Sequence, residues 1–513
     1  RYESGFFDAG GAEVPTYDPL TRRAFVVNAG DRSIDVLDIR NPRAPRRVKS
    51  LDIAADLAPR AVGGANSVDV RFGLLAVAVE ADPKQDDGWV AFYSTLTLRL
   101  VGVAPAGALP DMVTFSEDGR YVLTANEGEP NSYGQVDSRD PEGSVTIIDL
   151  LRLGRPGFVR HVGFSDFNVG GPRAHELPAE VRIYGPGATV AQDFEPEYIA
   201  VDGRKAYVTL QENNALAVID IRSARVEQIL ALGFKDHSLP GNELDASDRD
   251  GTINITNWPV FGMYQPDSIA TFTVRGRTYL VTANEGDARD YEGFAEESRV
   301  RALTLDPTAF PDRDSLRDNA RLGRLTVTRA LGDDDGDGDF DRLFALGGRS
   351  FTIWDAATGA IVFDSGAELE QITANLLPLN FNSTNDENGT FDNRSDNKGP
   401  EPEGVAVGWV EGKPYLFLGL ERIGGVMVYD LSDPAAPVFV DYVNNRNFDV
   451  DACGRFEQDE EGEAVCVAPN PEAGDLGPEG LKFVPAWASP TRKPLLIVGN
   501  EISGTTTISE FTA

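Results

Sequence analysis

Hydrophobic and polar residues alternate along most of this chain in short stretches, with the two-residue period of β-strands. One pattern recurs: a short strand opening with Pro or Asn plus an acid, a turn, a strand rich in β-branched residues, a second turn, and a third strand that often ends in Asp-Ile or Asp-Leu. A fourth strand usually follows, as in PRRVKSLDI. Each unit predicts an antiparallel meander, and a series of such units is typical of a β-propeller.

Seven copies of the pattern are plain. They begin at Glu13, Asn66, Pro110, Pro196, Pro266, Pro402 and Pro478. Between the fifth and sixth copies, the segment LFALGG/RSFTIWDA/AIVFDSG contains strands of a further unit that lacks the Pro-acid opening. We therefore predict an all-β chain folded as a single β-propeller of eight blades, with seven as the alternative.

The two ends of the chain are expected to meet. The last unit has only three strands, whereas YESGFF at Tyr2 to Phe7 is a spare apolar segment. Pairing this segment beside the strand at 504–511 would close the ring and remove exposed edges.

Helical periodicity is almost absent, apart from a short helix predicted at 367–377. The whole chain, 1–513, is predicted to be one domain with long loop insertions, where function usually lies. These insertions are 164–195, 235–265, 305–341 and 365–401.

The composition favours metal ions as partners. The chain has 82 Asp and Glu against 47 Lys and Arg, and its net charge of −35 repels nucleic acid and anionic lipid while it concentrates cations. No stretch approaches the ~18 to 20 apolar residues of a membrane helix. The sequence therefore predicts neither nucleic-acid binding nor a membrane span.

The two cysteines, Cys453 and Cys466, lie close together in an acidic stretch, CGRFEQDEEGEAVC. This spacing suits one local disulfide and lacks the CxxC pairs of a zinc site. It predicts an oxidising compartment: secretion, an extracellular surface or the periplasm. The chain begins at Arg1 without Met or an apolar leader, so we expect any secretion signal to have been removed already.

Acids cluster at two places that a meander brings to the same face, the start of the first strand and the end of the second. We predict that they ring one mouth of the central channel, where like charges require cations, Arg partners or protonation. The openings carry Asp111, Glu197, Asp267, Glu403 and Glu479, and the second-strand ends carry Glu80, Glu127, Glu212, Glu285, Glu421 and Glu501. A divalent or transition metal at this mouth is one interpretation, and acids that only cap turns or pair with a neighbouring blade are the other.

A second acidic cluster has calcium-loop spacing. In DDDGDGDFD the acids Asp333, Asp335, Asp337, Asp339 and Asp341 alternate, with Gly338 at the sixth position, as in an EF-hand loop. Position twelve is Phe344 instead of the usual Glu, and no helix flanks the loop. We predict bound calcium whose remaining ligands come from elsewhere, with a solvated acidic turn as the alternative.

Two loop segments that adjoin the acidic mouth, 285–300 and 381–404, contain the basic residues Arg289, Arg394 and Lys398, and Arg422 lies beside them. Cations among metal-binding carboxylates suit a phosphate or sulfate oxyanion. Structural ion pairing with the acids is the simpler interpretation.

Other chemistries have little support. The three histidines are not spaced as zinc ligands, and the chain has no GxSxG and no P-loop. Asn-x-Ser/Thr sequons begin at Asn254, Asn382, Asn388 and Asn393.

Several stretches, among them PDMVTFSEDGRYVLTANEGEP, TANEGDARDY, FNSTNDENGTFDNRSDNKGPEPEGVAVG and GPEGLKFVP, resemble the choice-of-anchor I family over nearly the whole chain. This is a family of secreted bacterial propeller-like proteins similar to the mesenchyme-specific cell-surface glycoproteins implicated in calcium biomineralisation. The resemblance implies a propeller fold and an extracellular location. Some members are labelled alkaline phosphatase.

Two functions follow as hypotheses. The first is a calcium-binding surface or matrix protein whose acidic face binds ions, mineral or cell-surface components. The second is a metal-dependent phosphoester hydrolase, in which Arg289, Arg394 or Arg422 would hold the phosphoryl oxygens. The sequence names no nucleophile for it. A protein-interaction scaffold is a third possibility for any propeller.

Overall fold

The computed structural model describes residues 1–458 and 464–512. Within these ranges it contains seven four-stranded antiparallel sheets, which we number 1 to 7 along the chain. In most sheets the strands pair in the order in which they follow one another, as the alternating pattern predicts.

The strands of sheets 1 to 3 are Pro15–Asp18, Arg23–Asn28, Ser33–Asp38 and Arg46–Asp52; Val62–Arg71, Leu74–Ala81, Asp87–Ser94 and Leu100–Ala108; and Pro110–Phe115, Tyr121–Asn126, Ser144–Asp149 and Val159–Gly163. Those of sheets 4 and 5 are Pro196–Asp202, Lys205–Leu210, Ala215–Asp220 and Arg225–Ala231; and Ile269–Val274, Arg277–Asn284, Ser350–Asp355 and Ile361–Asp364. Those of sheets 6 and 7 are Pro402–Val410, Lys413–Leu420, Val426–Asp430 and Val438–Val443; and Pro478–Val484, Leu495–Asn500, Thr505–Glu510 and Tyr2–Glu3.

The sheets pack face to face, with an apolar cluster between each pair of neighbours. Sheets 1 and 7 also share such a cluster, in which Val26 and Leu37 pack with Leu495 and Ile497. The first strand of each sheet contacts the first strand of the next, and that of sheet 7 contacts that of sheet 1. Radial packing of four-stranded meanders on their first strands is the arrangement of a β-propeller.

The N-terminal segment lies against the last sheet. Tyr2 pairs with Thr506 and Glu3 with Thr505, so that Tyr2–Glu3 is the fourth strand of sheet 7. The backbone amide of Ser4 continues this contact by donating to the carbonyl of Gly504 (2.9 Å). The strand has two residues, whereas the predicted segment extends from Tyr2 to Phe7.

The segment predicted as an eighth unit does not form its own sheet. Ser350–Asp355 pairs with Arg277–Asn284, and Ile361–Asp364 pairs with Ser350–Asp355. These two strands are therefore the third and fourth strands of sheet 5. A long insertion separates the second and third strands of that sheet. Because of this insertion, the sequence pattern assigned the strands of one sheet to two units.

The insertions build a further sheet whose strands are, in order of pairing, Phe234–Asp236, Phe261–Met263, Phe344–Ala345, Thr326–Thr328 and Glu297–Arg299. A small hairpin pairs Asp290–Tyr291 with Phe294–Ala295. The α-helices are Ile53–Leu57, Val190–Asp193, Arg313–Leu316 and Glu368–Leu376. The last of these confirms the helix predicted at 367–377, and none of the helices in the described ranges is long and apolar enough to span a membrane.

Cys453–Gln458 pairs with Ala464–Pro469 in a second hairpin. A disulfide joins Cys453 to Cys466 across it, with a Cα–Cα distance of 5.8 Å. The predicted disulfide is confirmed.

Candidate metal centre

The openings of the first strands turn an acidic side chain out of the sheet. In sheets 3, 4, 6 and 7 the pairing between the first two strands shifts register just after the opening proline, for example between Pro110 and Met112. The acid that follows the proline lies within this shift. Bulges of this kind redirect a side chain and are frequent near functional sites. The acids concerned are Asp111, Glu197, Glu403 and Glu479.

Alignment of the sheets on their first two strands gives one equivalent position in each. We call these positions the inner ring: Glu13, Asn66, Asp111, Glu197, Asp267, Glu403 and Glu479. Every member except Asn66 is a carboxylate. The sequence pattern missed Glu13, because in its unit Pro15 comes two residues after the acid instead of before it.

One cavity of about 60 Å³ lies where the openings meet, and residues from all seven sheets line it. They include Asp111, Asp267, Glu403 and Glu479 of the inner ring. A cavity needs ~10–15 Å³, measured in the same way, to hold one water molecule. The cavity therefore has room for an ion with a few waters.

The inner ring is electrostatically unfavourable when fully ionised. Burial, and then the charges of neighbouring carboxylates, raise the pKa of Asp111 to about 7 and the pKa of Glu13 to about 8. The same causes raise the pKa of the remaining four acids well above the ordinary value; these are Glu197, Asp267, Glu403 and Glu479. The ring must take up protons or cations at neutral pH.

Three ring oxygens are buried and accept no hydrogen bond from the described residues: Oε2 of Glu197, Glu403 and Glu479. Buried polar atoms in proteins almost always have a partner. These oxygens are therefore free to bind a cation, and the donor set fits one. Three groups of described acids have carboxylate oxygens within 4.8 Å of one another, and none of these groups includes a ring residue. An ion in the cavity would therefore be held partly through water or after small side-chain movements.

Acids at the ends of the second strands form an outer tier around the ring. Glu80, Glu127, Glu285, Glu421 and Glu501 follow the equivalent strand position directly. Glu212 lies one residue further along, because Gln211 occupies that position in sheet 4. Gln211 donates its side-chain amide to Oε2 of Glu285 (3.0 Å).

Three of the predicted anion-binding cations converge on one buried acid that the sequence pattern did not single out, Glu401. Lys398 Nζ lies 3.2 Å from Glu401 Oε2, and Arg422 Nε donates to the same oxygen (2.8 Å). Arg394 donates to Oε1 of Glu401. Burial alone would raise the pKa of Glu401, but these three cations outweigh it and hold the pKa below its usual range.

Oxygens of Glu285, Glu401 and Glu421 come within 4.8 Å of one another, close enough to hold an ion. Lys398 also donates to Glu285 (2.7 Å), and Arg422 lies 3.0 Å from Glu421. Three cations thus already balance three carboxylates. The geometry at this point favours a structural ion-pair network over a metal, and oxyanion binding by these cations stays a prediction.

Arg289 lies in a separate buried cluster. Its guanidinium pairs with Asp193 and lies 3.0 Å from Glu195 Oε1. It also stacks on the ring of Tyr184, with 4.6 Å from Cζ to the ring centroid. The fourth predicted anion-binding cation is therefore held by acids of its own and does not join Arg394, Lys398 and Arg422.

The acidic loop lies between Thr326–Thr328 and Phe344–Ala345. Carboxylate oxygens of Asp333, Asp335 and Asp341 lie within 4.8 Å of one another, and so do those of Asp306, Asp339 and Asp341. Asp306 arrives there because Leu305 and Phe340 form a parallel bridge. Asp306 thus brings an acid from outside the loop, whose twelfth position is Phe344 instead of Glu. Asp337 belongs to neither group; its carboxylate accepts from the amide of Asp339 (3.1 Å).

The model of the choice-of-anchor I domain matches residues 13–434. The chain belongs to the choice-of-anchor I family.

Two curated proteins are similar to parts of this chain. Gigasin-3a of Magallana gigas is 29% identical over 198 residues, which are 38% of this chain and 66% of that protein. The mesenchyme-specific cell surface glycoprotein of Strongylocentrotus purpuratus is 26% identical over 370 residues, which are 65% of this chain and 45% of that protein. The matches thus span less than two thirds of each relative.

Solved structures that match over most of the chain include Kuenenia stuttgartiensis hydrazine synthase, with a TM-score of 0.47, 15% identity and coverage of 98% of this chain and 97% of the other. The Cps50 (Swd1) β-propeller domain of Myceliophteria thermophila gives a TM-score of 0.39 and 8% identity, with 98% of each chain covered.

Proposed function

We propose that this choice-of-anchor I protein is an extracellular surface or matrix protein whose seven sheets form one closed propeller that binds divalent cations at its acidic channel. The carrying observation is the inner ring: four of its six carboxylates, Asp111, Asp267, Glu403 and Glu479, line one small cavity. Three ring oxygens also have no partner among the described residues. A bound cation would give these oxygens a ligand partner and would also compensate the buried negative charge.

Calcium is the cation that the donors match best. The described residues that line the cavity offer carboxylate, amide and hydroxyl oxygens and no imidazole or thiolate. Such hard oxygen donors suit Ca²⁺, Mg²⁺ or Mn²⁺ better than zinc or copper. A cavity with mixed Asp, Glu and Asn ligands also suits the adaptable coordination of Ca²⁺ better than the strict octahedron of Mg²⁺.

The acidic loop is proposed as a second calcium site, more exposed than the first. Asp333, Asp335 and Asp341 would bind the ion, and Asp306 and Asp339 form a second group with the same Asp341. The ring and the loop belong to different parts of the chain, so variants can separate their contributions.

The extracellular assignment draws on the disulfide between Cys453 and Cys466, which favours an oxidising compartment. It also draws on the family and on a relative named as a cell surface glycoprotein. Surface or mineral components are the partners that we propose.

The test is calcium analysis of the purified protein by mass spectrometry after gel filtration, before and after chelation. The ring variant, Glu403→Gln with Glu479→Gln, should lose the calcium bound at the ring and keep the calcium bound at the acidic loop. The loop variant, Asp333→Asn with Asp335→Asn, should lose the calcium of the loop and keep that of the ring. Glu510→Gln, an acid that pairs with Lys493 at the periphery, is the matched control. Retention of all calcium by the ring variant would contradict the ring assignment.

A metal-dependent phosphoester hydrolase using the same mouth is the alternative. It has less support, because Arg394, Lys398 and Arg422 donate to carboxylates instead of pointing to an open metal position. If the protein hydrolysed p-nitrophenyl phosphate, and chelation abolished and calcium restored this activity, the hydrolase would be favoured over the binding protein.

A further inference from the structure

A buried polar cluster ties two of the long insertions to Arg349, the residue that precedes the third strand of sheet 5. Asp245 and Asp250 belong to the insertion at 235–265, whereas Glu370, Asn382 and Asp392 belong to the insertion at 365–401. Asp245, Glu370, Asn382 and Asp392 are each at most 3% exposed.

Three side-chain oxygens in this cluster are buried and have no hydrogen-bond partner among the described residues: Oδ2 of Asp250, Oδ1 of Asn382 and Oδ2 of Asp392. The other acids are satisfied. Glu370 accepts from Arg349 (2.8 Å) and from the amide of Asp245 (3.2 Å), and Asp245 accepts from the amide of Asn254 (2.6 Å). The partnerless atoms are therefore confined to three residues.

The hydrogen-bond network fixes the orientation of Asn382. Its Nδ2 donates to Oε1 of Glu370 (2.9 Å), which can only accept. Nδ2 also donates to Oγ of Ser395 (2.9 Å), which in turn donates to Oδ1 of Asp392 (2.5 Å). Reversing the amide would lose the bond to Glu370. The free atom of Asn382 is thus a carbonyl oxygen, the atom with which Asn binds calcium.

Charge in the cluster is unbalanced. Of the four carboxylates only Glu370 pairs with Arg349, and Asp245, Asp250 and Glu370 all act on Asp392. Burial first, and then these neighbours, raise the pKa of Asp392 to about 8. In contrast, the nearby Asp248 and Asp396 both pair with Arg324.

We propose that a divalent cation, with calcium the best match, binds between Asp250, Asn382 and Asp392 and holds the two insertions together. The described carboxylates of this cluster do not form a triple with oxygens within 4.8 Å of one another. We therefore expect the ion to draw Asp250 and Asp392 inward. This site is separate from the ring and the acidic loop and does not depend on either.

The direct test is a crystal structure of the full chain grown with calcium, with anomalous differences measured at long wavelength. A calcium peak with protein oxygens of all three residues at ~2.3–2.6 Å supports the site. Density for water alone, or no peak, overturns it, whatever is found at the ring or the loop.

A solution test uses the full chain in an Asp333→Asn, Asp335→Asn background. Asp250→Asn with Asp392→Asn should remove one further equivalent of calcium. In the background protein, chelation should speed hydrogen exchange at 245–254 and 382–392, and the added substitutions should abolish that response. Leu316→Ala, which opens a cavity in the apolar cluster under the insertions, should lower stability without loss of calcium. Unchanged stoichiometry and exchange in the double variant would refute the proposal.

Discussion

Lys398 donates its ammonium to the carboxylate of Glu285 over 2.7 Å, although 113 residues separate them. The pair joins the end of a second strand in sheet 5 to the insertion that precedes sheet 6. Lys398 is 8% exposed, so solvent cannot replace it easily.

Lys398→Met should destabilise the protein by ~3–5 kcal/mol, because it leaves the buried Glu401 and the partly buried Glu285 with less compensating charge. Urea unfolding at pH 7 measures the change. Lys413→Met is the matched control, since Lys413 pairs with Asp430 at the surface (3.0 Å) and such pairs contribute ~1 kcal/mol or less. Equal losses in the two variants would contradict the importance of the buried network.

Stability of the cation-free protein should fall as pH rises from about 4 to about 8. The folded state raises the pKa of Asp111 from 3.8 to about 7 and that of Glu13 from 4.5 to about 8, so it keeps protons that the unfolded chain has released. The resulting stabilisation is full below the unfolded values and is lost as pH passes the folded ones. Thermal unfolding at several pH values, with chelator, measures this dependence.

Calcium should counteract that fall at pH 8, because an ion replaces the protons on the ring. A variant with Glu13→Gln and Asp111→Asn should show a flatter pH dependence without calcium. A steep, unchanged dependence in this variant would show that other groups cause it.

Asp306→Asn should weaken calcium binding at the acidic loop several-fold without unfolding it, because Asp306 comes from outside the loop and approaches Asp339 and Asp341. Calorimetric titration in the ring-deficient Glu403→Gln, Glu479→Gln background measures the affinity. Asp312→Asn serves as control, an acid of the same insertion that belongs to neither carboxylate group. Identical affinities for both variants would exclude Asp306 as a ligand.

Removal of residues 1–8 should lower the melting temperature, because it unpairs the edge of sheet 7. It also removes Phe7, which packs with Leu476 and Ile502. Phe7→Ala alone should cost about 3 kcal/mol, so calorimetry of both variants separates packing from strand pairing. An unchanged melting curve after the deletion would mean that Tyr2–Glu3 does not stabilise the last sheet.

Local pattern was enough to predict much of the fold and part of the site. Alternation and the Pro-acid openings identify the strands and put Asp111 and Glu403 on one face, because both are properties of a few adjacent residues. The same reasoning failed for Ser350–Asp355, which was assigned to an eighth unit, since pairing across a long insertion leaves no local mark.

Contacts between distant segments account for the other omissions. Glu401 has no motif around it that marks it as the common acceptor of three cations, and Asp306 reaches the acidic loop only through the bridge between Leu305 and Phe340. Asn382 looked like a glycosylation sequon, but it is fully buried and cannot accept a glycan in the folded protein.

The bulges at the strand openings separate the chemistry of the channel from the integrity of its scaffold. Asp111, Glu197, Glu403 and Glu479 lie where the ladder shifts register, so exchange among Asp, Glu and Asn there leaves the paired backbone in place. Asn66 at the equivalent position of sheet 2 is such an exchange within one molecule. Single substitutions at these positions can therefore change the charge and size of the ring while the seven sheets keep their pairing.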